Sequence, residues 1–380
     1  MKVSVSVHGR FHGFDLAREL NRYGALGGLI TTYPRFAVRQ HLGAIDSLST
    51  VPLLELKRRI CQRFNGLCGD MDGRLAKSFG KFAAANLPPC DLLVGWSSAT
   101  LEAIPVAQAR GARVVVERGS SHILHQTNLL KELHARDNKV FTGTSSLIIE
   151  RELAEYEAAD SIAVPSSYAA QTFVSHGVPL EKVLVNPYGV DLKHFSPFPS
   201  HTNARPKILF VGQVGLRKGV PELLSAFSRL SKDADLCLIG PLESGMPKPL
   251  QSNVHHLGAV PISALPDYYR SADIFCLPSW EEGFPLVILQ AMASGLPVVT
   301  TDTSGAKDII IPGIEGEIVA AGDIDALAQA LECLLEDPVR AQEMGVAARA
   351  RVNDGFDWAS YGSRAYNIYK GLIGERSSPD

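Results

Sequence analysis

Several features that would assign the chain quickly are missing. None of its 380 residues belongs to an apolar run approaching the roughly 20 residues that a hydrocarbon span requires. There is no G-x-x-x-x-G-K-[ST] segment, which excludes nucleotide hydrolysis of the P-loop kind. The first apolar strand pattern leads into HGRFHGF rather than G-x-G-x-x-G, which argues against a nicotinamide-dependent oxidoreductase. Six cysteines are present, but none forms a C-x-x-C pair or stands at ligand spacing with a histidine. Buried thiols in a reducing compartment are expected, and no metal site. The opening MKVSVSVHGRFHGFD reaches polar residues before any secretory h-region, so a cytoplasmic location is expected.

What is present is the composition of a soluble α/β protein, with 46% hydrophobic and 20% charged residues. The length suits two domains. Val3, Val5 and Val7 alternate with polar residues as a first strand, and DLARELNRYGA follows as a helix with Asp15 at its start. LGGLITTYP, DLLVGWS, ARVVVERGS, SIAVPS and VLVNPYGVD continue the strand series, with helical patterns between them. After the linker HFSPFPSHTNARPK the series restarts with KILFVGQ, DLCLIGP, NVHHLGAV, DIFCLPS, LPVVTTD and GEIVAAG. Helices begin near Pro221, Ser263, Pro285 and Asp323. Near-continuous Val/Ile/Leu strands separated by helices predict parallel sheets covered on both faces. The domains are read as 1–190 and 191–355, and WASYGSRAYNIYKGLIG is a helix after the second.

Charge is uneven. Residues 1–81 hold 13 Lys+Arg against 6 Asp+Glu, whereas residues 191–380 hold 16 against 23. A basic first domain favours an anionic partner, a membrane surface or a phosphorylated acceptor. STVPLLELKRRICQRFNG (49–66) reads as an amphipathic helix, with Leu53, Leu54, Leu56, Ile60 and Phe64 apolar and Lys57, Arg58, Arg59 and Arg63 charged. It is either a plain solvated face or a dock for anionic lipid.

Three stretches carry candidate chemistry. In FVGQVGLRKGVPELLSAF (210–227) a strand ends in a glycine-containing turn that opens a helix, where backbone N–H groups attract phosphate and Arg217 and Lys218 add positive charge. In PSWEEGFPLVILQAMASGLPVVTTD (278–302) the pair Glu281–Glu282 stands between a strand and a helix, at the edge where open parallel sheets bind ligands. A carboxylate there can accept from sugar hydroxyls, and the N–H groups between Gly283 and Val287, Pro285 having none, point at the same place. In VERGSSHILHQ (116–126), Glu117, Arg118, Ser120 and His122 follow a strand, and HGRFHGFD (8–15) holds the equivalent place after the first one, where its glycines admit close backbone approach.

Together these stretches resemble family 4 of the retaining glycosyltransferases, whose fold is termed GT-B. FVGQVGLRKGV resembles the family's phosphate-binding turn, and EEGFPLVILQAMASGLPVV its E-x7-E signature. NPYGVDLKHFSP resembles the interdomain segment and FDWASY the start of the crossover helix. The likeness is densest over residues 160–372. It implies two Rossmann-like domains facing across a cleft, with residues 356–380 returning to the first domain. The second domain would bind a nucleoside diphosphate sugar and the first an acceptor, a glycan or a lipid-linked intermediate of cell-surface polysaccharide or glycolipid synthesis. By position, Lys218 and Arg217 would hold the diphosphate and Glu282 the sugar hydroxyls. Backbone from Gly283, Phe284, Pro285, Leu286 and Val287 would help, all but Pro285 through an N–H, with Gln290 at the ribose and Val260 at the base. His122 would stand near the transferred sugar, with Gly13 and Arg118 on the acceptor side. Catalysis would rest on Glu282, His122 and Lys218 with retention at the anomeric carbon and without metal or other cofactor, and no nucleic-acid partner is implied.

The sequence departs from the family at two positions. The ribose glutamate is Gln290, which loses one charge-assisted hydrogen bond, and the arginine before the phosphate turn is Gln213. A non-catalytic nucleotide-sugar binder or a GT-B epimerase therefore stands beside the transferase reading. Localisation would be cytoplasmic, with peripheral contact at the inner face of the plasma membrane.

Overall fold

The computed structural model describes residues 1–63, 71–137, 140–141, 143–197, 205–231, 233–248 and 251–374. Phe64, Cys68, residues 198–204 of the linker and the tail from 375 onward lie outside the described residues, as do the side chains of Gln62 and Arg63. Two all-parallel sheets form. The first is built from β1 (Val3–Val7), β2 (Leu26–Thr31), β3 (Leu48–Thr50), β4 (Leu92–Trp96), β5 (Arg113–Glu117), β6 (Ser161–Val164) and β7 (Val183–Val185). The second is built from β8 (Lys207–Val211), β9 (Asp235–Ile239), β10 (Val254–Gly258), β11 (Ile274–Leu277), β12 (Val298–Thr301) and β13 (Gly316–Val319). Their spatial orders are β3-β2-β1-β4-β5-β6-β7 and β10-β9-β8-β11-β12-β13. In each sheet the strand order reverses once, beside β1 and beside β8. These are two Rossmann-like units.

All five residues of β1 are buried, Ser4 and Ser6 included, so the alternation seen in the sequence does not mark a half-exposed strand. Helices cover both faces, as parallel pairing requires. The first helix runs Gly13–Arg22 with His12 at its N-cap; Asp15 sits in the first turn and pairs with Arg18 at 2.7 Å instead of capping. The short pattern near Ser263 resolves into a 3-10 turn, Ile262–Ala264, and the helix Leu265–Arg270. The lipid-facing candidate is a helix over Pro52–Arg63, preceded by the edge strand β3. The thiols are less uniform than expected: Cys237 and Cys276 are buried, Cys61 and Cys90 half-buried, and Cys333 exposed.

The last helix, Trp358–Gly374, crosses back onto the first domain. Its Gly362 packs so tightly on Glu19 that an added Cβ would stand 2.2 Å from the Glu19 Cβ. Tyr366 stacks on Tyr23 with centroids 4.6 Å apart. Arg364 clasps the interdomain segment through the Asn186 side chain at 3.1 Å and the Pro187 carbonyl at 2.7 Å. The chain therefore joins its domains twice, at residues 186–197 and 355–358, on one side of the molecule.

Candidate functional site

Both charged turns stand at the switch point of the second sheet, the place where open α/β sheets leave a crevice. The β8 turn (212–219) and the β11 turn (278–285) come from adjacent strands. Gly219, with φ 67°, lies so close to Pro278 that a Cβ would be 1.9 Å from its carbonyl oxygen, so only glycine fits there. The Trp280 N–H donates to the Arg217 carbonyl at 2.9 Å, locking the turns together.

That lock brings Lys218 and Glu282 into direct contact, Nζ against Oε1. Arg217 Nη1 lies 2.9 Å from the Glu281 carbonyl, 3.2 Å from Glu281 Oε2 and 3.4 Å from Glu282 Oε1. Burial and the adjacent Arg217 guanidinium push the Lys218 ammonium well below its ordinary pKa. An incoming diphosphate would oppose that shift by supplying negative charge. Glu282 is itself placed by backbone: its N–H donates to Thr303 at 3.2 Å and its carbonyl accepts from Gly305 at 3.1 Å.

The helix that follows is Leu286–Ala293, with Pro285 at its N-cap and no side chain capping its first amides. Leu286 and Gln290 line a cavity of about 750 Å³ between the domains, together with Arg10, Lys193, Ile262 and Trp358, whereas Val260, Lys218 and Glu282 are not among its lining residues. The volume suits a nucleotide-sized ligand. Tyr269, fully buried, donates from its hydroxyl to Gln290 Oε1 at 3.0 Å. Gln213 is exposed.

The first domain presents the carboxyl edge of its own sheet to the same cleft. Ser120 and Ser121 after β5 bond to Glu281 at 2.7 and 2.8 Å, and Ser166 after β6 bonds to the Gly283 carbonyl at 2.5 Å. The Ser167 N–H donates to Asp308 at 2.7 Å. At Gly283 an added Cβ would lie 2.3 Å from the Gly119 carbonyl oxygen. Arg136 covers the Trp280 ring at 4.8 Å.

Three expected first-domain residues take other places. His122 is the N-cap of the helix Ile123–Arg136, its Nδ1 accepting from the Leu124 N–H at 3.3 Å, and it is buried against Tyr156, Phe173 and the stacked ring of His176. Burial, with His176 and Arg118 nearby, lowers its pKa to about 4, so the ring is neutral near pH 7. Gly13 is buried where a Cβ would meet Trp96 and Val7 at 3.0 and 3.1 Å, so it serves helix–strand packing. Arg118 turns inward to Glu152 at 3.1 Å and Gln126 at 2.9 Å. The cleft partners that sequence reading missed are Ser121, Gln126, Ser166 and Tyr269. Only Ser121 had a signal, its place beside Ser120.

Among the described residues no three His, Cys, Asp or Glu side chains come together as a metal site. Three D-x-D triplets occur, and the two that are fully described do not serve the cleft. Asp233 and Asp235 pair with Arg205 at 2.6 and 3.3 Å at the amino end of β9. Asp323 caps the helix Ile324–Glu336, and Asp325 pairs with Arg229. Asp70, of the third triplet, lies outside the described residues.

Two parallel Rossmann-like sheets, opposed at their carboxyl edges and crossed twice by the chain, define a GT-B protein. Residues 205–337, within the second domain, match the family model for glycosyl transferases group 1. Over 239 residues the chain is 31% identical to a D-inositol 3-phosphate glycosyltransferase of Xylanimonas cellulosilytica, covering 56% of this chain and 57% of that protein. Over 243 residues it is 30% identical to a GDP-mannose-dependent alpha-(1-6)-phosphatidylinositol monomannoside mannosyltransferase of Mycolicibacterium smegmatis, covering 56% and 63%. The matches thus span less than two thirds of these relatives. Among solved structures, a sucrose-phosphate synthase from Thermosynechococcus elongatus superposes with a TM-score of 0.70 at 20% identity, covering 99% of this chain and all of that one. An Anabaena protein solved with UDP and glucose superposes with a TM-score of 0.67 at 16% identity, covering 98% and 100%.

Proposed function

We propose that the protein transfers a sugar from a nucleoside diphosphate sugar to a glycan or lipid-linked acceptor, with retention at the anomeric carbon. The observation that carries this reading is the Lys218–Glu282 contact at the switch point of the second sheet. A donor has an anionic diphosphate and a hydroxyl-rich sugar in series, and the site offers a cation and a carboxylate in series. On binding, Lys218 turns to the diphosphate and Glu282, released from it, accepts from sugar hydroxyls. Arg217 and the first amides of the helix Leu286–Ala293 add to the neutralisation of the leaving group, so no metal is required in this scheme. The relatives' printed names, one acting with GDP-mannose and two on inositol-containing acceptors, support the class. A panel of uridine and guanosine diphosphate sugars, read by thermal shift and then by product formation in EDTA, tests it. Failure of every donor to raise the melting temperature contradicts it.

The acceptor side of the proposal is a membrane face. Leu53, Leu56 and Ile60 on the helix Pro52–Arg63 are 75%, 55% and 49% exposed, and Phe36 on the helix Arg35–Leu42 is 75% exposed. Arg58 and Arg59 flank them, both held on Glu55. No described helix is long and apolar enough to cross a membrane. This surface docks on anionic lipid from the cytoplasmic side by apolar insertion plus charge. Vesicle flotation checks it: Leu53→Asp with Leu56→Asp abolishes binding to anionic vesicles, and unchanged flotation contradicts it.

A further inference from the structure

The carboxylate with most partners in the cleft is not Glu282 but its neighbour. Glu281 is fully buried, and both domains build its surroundings. Its Oε1 accepts from Ser120 Oγ at 2.7 Å, Ser121 Oγ at 2.8 Å and the Ser121 N–H at 3.2 Å. Its Oε2 accepts from Gln126 Nε2 at 2.9 Å and Arg217 Nη1 at 3.2 Å. Four of these donors belong to the first domain and one to the second.

The Gln126 amide cannot be reversed. Its Oε1 accepts from Arg118 Nη2 at 2.9 Å, and arginine only donates, so the amide nitrogen must face Glu281 and Ser120. Arg118 is in turn fixed by Glu152 at 3.1 Å and the Ser121 carbonyl at 3.1 Å. On the other side, Arg217 reaches Glu281 with Nη1 alone. Its Nε and Nη2 make no hydrogen bond among the described residues.

We propose that Glu281 is a positioning residue that ties closure of the cleft to readiness of the diphosphate site. In the closed arrangement the serines and Gln126 satisfy the carboxylate, so Arg217 is held by one nitrogen and keeps its other edge for a diphosphate. When the domains part, four donors leave. A carboxylate with only Arg217 beside it takes the guanidinium with both oxygens, the preferred geometry for that pair, and withdraws the edge the diphosphate needs. This rests on the nucleotide-sugar reading above.

The test uses the full chain, uridine and guanosine diphosphate as probes, calorimetric titration for affinity and small-angle X-ray scattering for closure. Ser120→Ala with Ser121→Ala leaves Glu281 unquenched, and affinity for the diphosphate should fall by about tenfold or more, the worth of one charge-assisted hydrogen bond. Adding Glu281→Gln to that pair should restore it. Loss of structure alone could not produce such a rescue. Glu281→Gln by itself should leave the probe-free particle more extended than wild type, while diphosphate affinity is kept and kcat falls with donor KM little changed. A triple variant as weak as the double, or a Glu281→Gln particle of wild-type dimensions, overturns the proposal. If wild type binds neither diphosphate but Glu281→Gln still opens the particle, the latch stands and the nucleotide-sugar reading fails instead.

Discussion

Lys218 and Glu282 form an ion pair between the ends of two neighbouring parallel strands, at the point where the second sheet reverses its order. The pair keeps two opposite charges in a largely buried site, each serving as the other's counter-ion. A ligand that carries both an anion and hydroxyl donors can divide the pair between its two ends. That division is the physical basis of the function proposed here.

Gln290 should limit donor affinity. Its Oε1 already accepts from the Tyr269 hydroxyl, so its neutral amide nitrogen is what remains for a ribose. Gln290→Glu places a charged acceptor there and should tighten donor binding by about 1–2 kcal/mol, roughly five- to thirtyfold. Isothermal titration with the preferred nucleotide reads the change; a weaker complex contradicts the ribose assignment.

Gly283 is a point of close approach between the domains. With a Cβ 2.3 Å from the Gly119 carbonyl and 2.6 Å from the Ser120 Cα, Gly283→Ala cannot close without displacing backbone. Turnover should fall at least about tenfold while the melting temperature stays near wild type, because neither domain core is touched. A kinetic and calorimetric comparison checks this, and unchanged kcat contradicts it.

Stability should fall on acidification in a window set by buried histidine. His122 has its pKa lowered to about 4 by burial and nearby cationic groups, against 6.5 in an unfolded chain. The unfolded state therefore takes up the proton first as pH falls. The stabilising contribution is complete above pH 6.5 and is lost as pH falls through about 4. His8, half-buried and likewise lowered to about 4, mainly by desolvation, adds to the effect. His122→Asn keeps an oxygen able to cap the Leu124 N–H but does not titrate. Its melting temperature should drop less than that of wild type between about pH 7 and pH 4; parallel curves contradict the assignment.

Twelve of the thirteen described strands and the two charged turns were legible in the sequence because each is a local pattern, whereas the three-residue β3 overlaps the start of the stretch read as a helix. KILFVGQ and DIFCLPS lead directly into the turns that carry Lys218 and Glu282, and parallel pairing of β8 with β11 brings the turns together. The partners of Glu281 were not legible. Ser120, Ser121 and Gln126 lie 161, 160 and 155 positions away, and no local pattern encodes a contact across a cleft. His122 was read as facing a ligand because it follows a strand, but that position is also a helix N-cap, and the Leu124 N–H claimed its free nitrogen. Gly13 misled for a similar reason: the close approach it permits is to Trp96 and Val7.

Equilibrium binding of a nucleoside diphosphate and of its sugar conjugate to three proteins, wild type, Lys218→Ala and Glu282→Gln, tests the division of the ion pair most directly. Lys218→Ala should weaken both ligands by a similar factor, since both carry the diphosphate. Glu282→Gln should weaken only the sugar conjugate, leaving the bare diphosphate bound as in wild type or more tightly because Lys218 is freed. If Glu282→Gln weakens both ligands equally, or Lys218→Ala weakens neither, the two residues do not hold opposite ends of one donor.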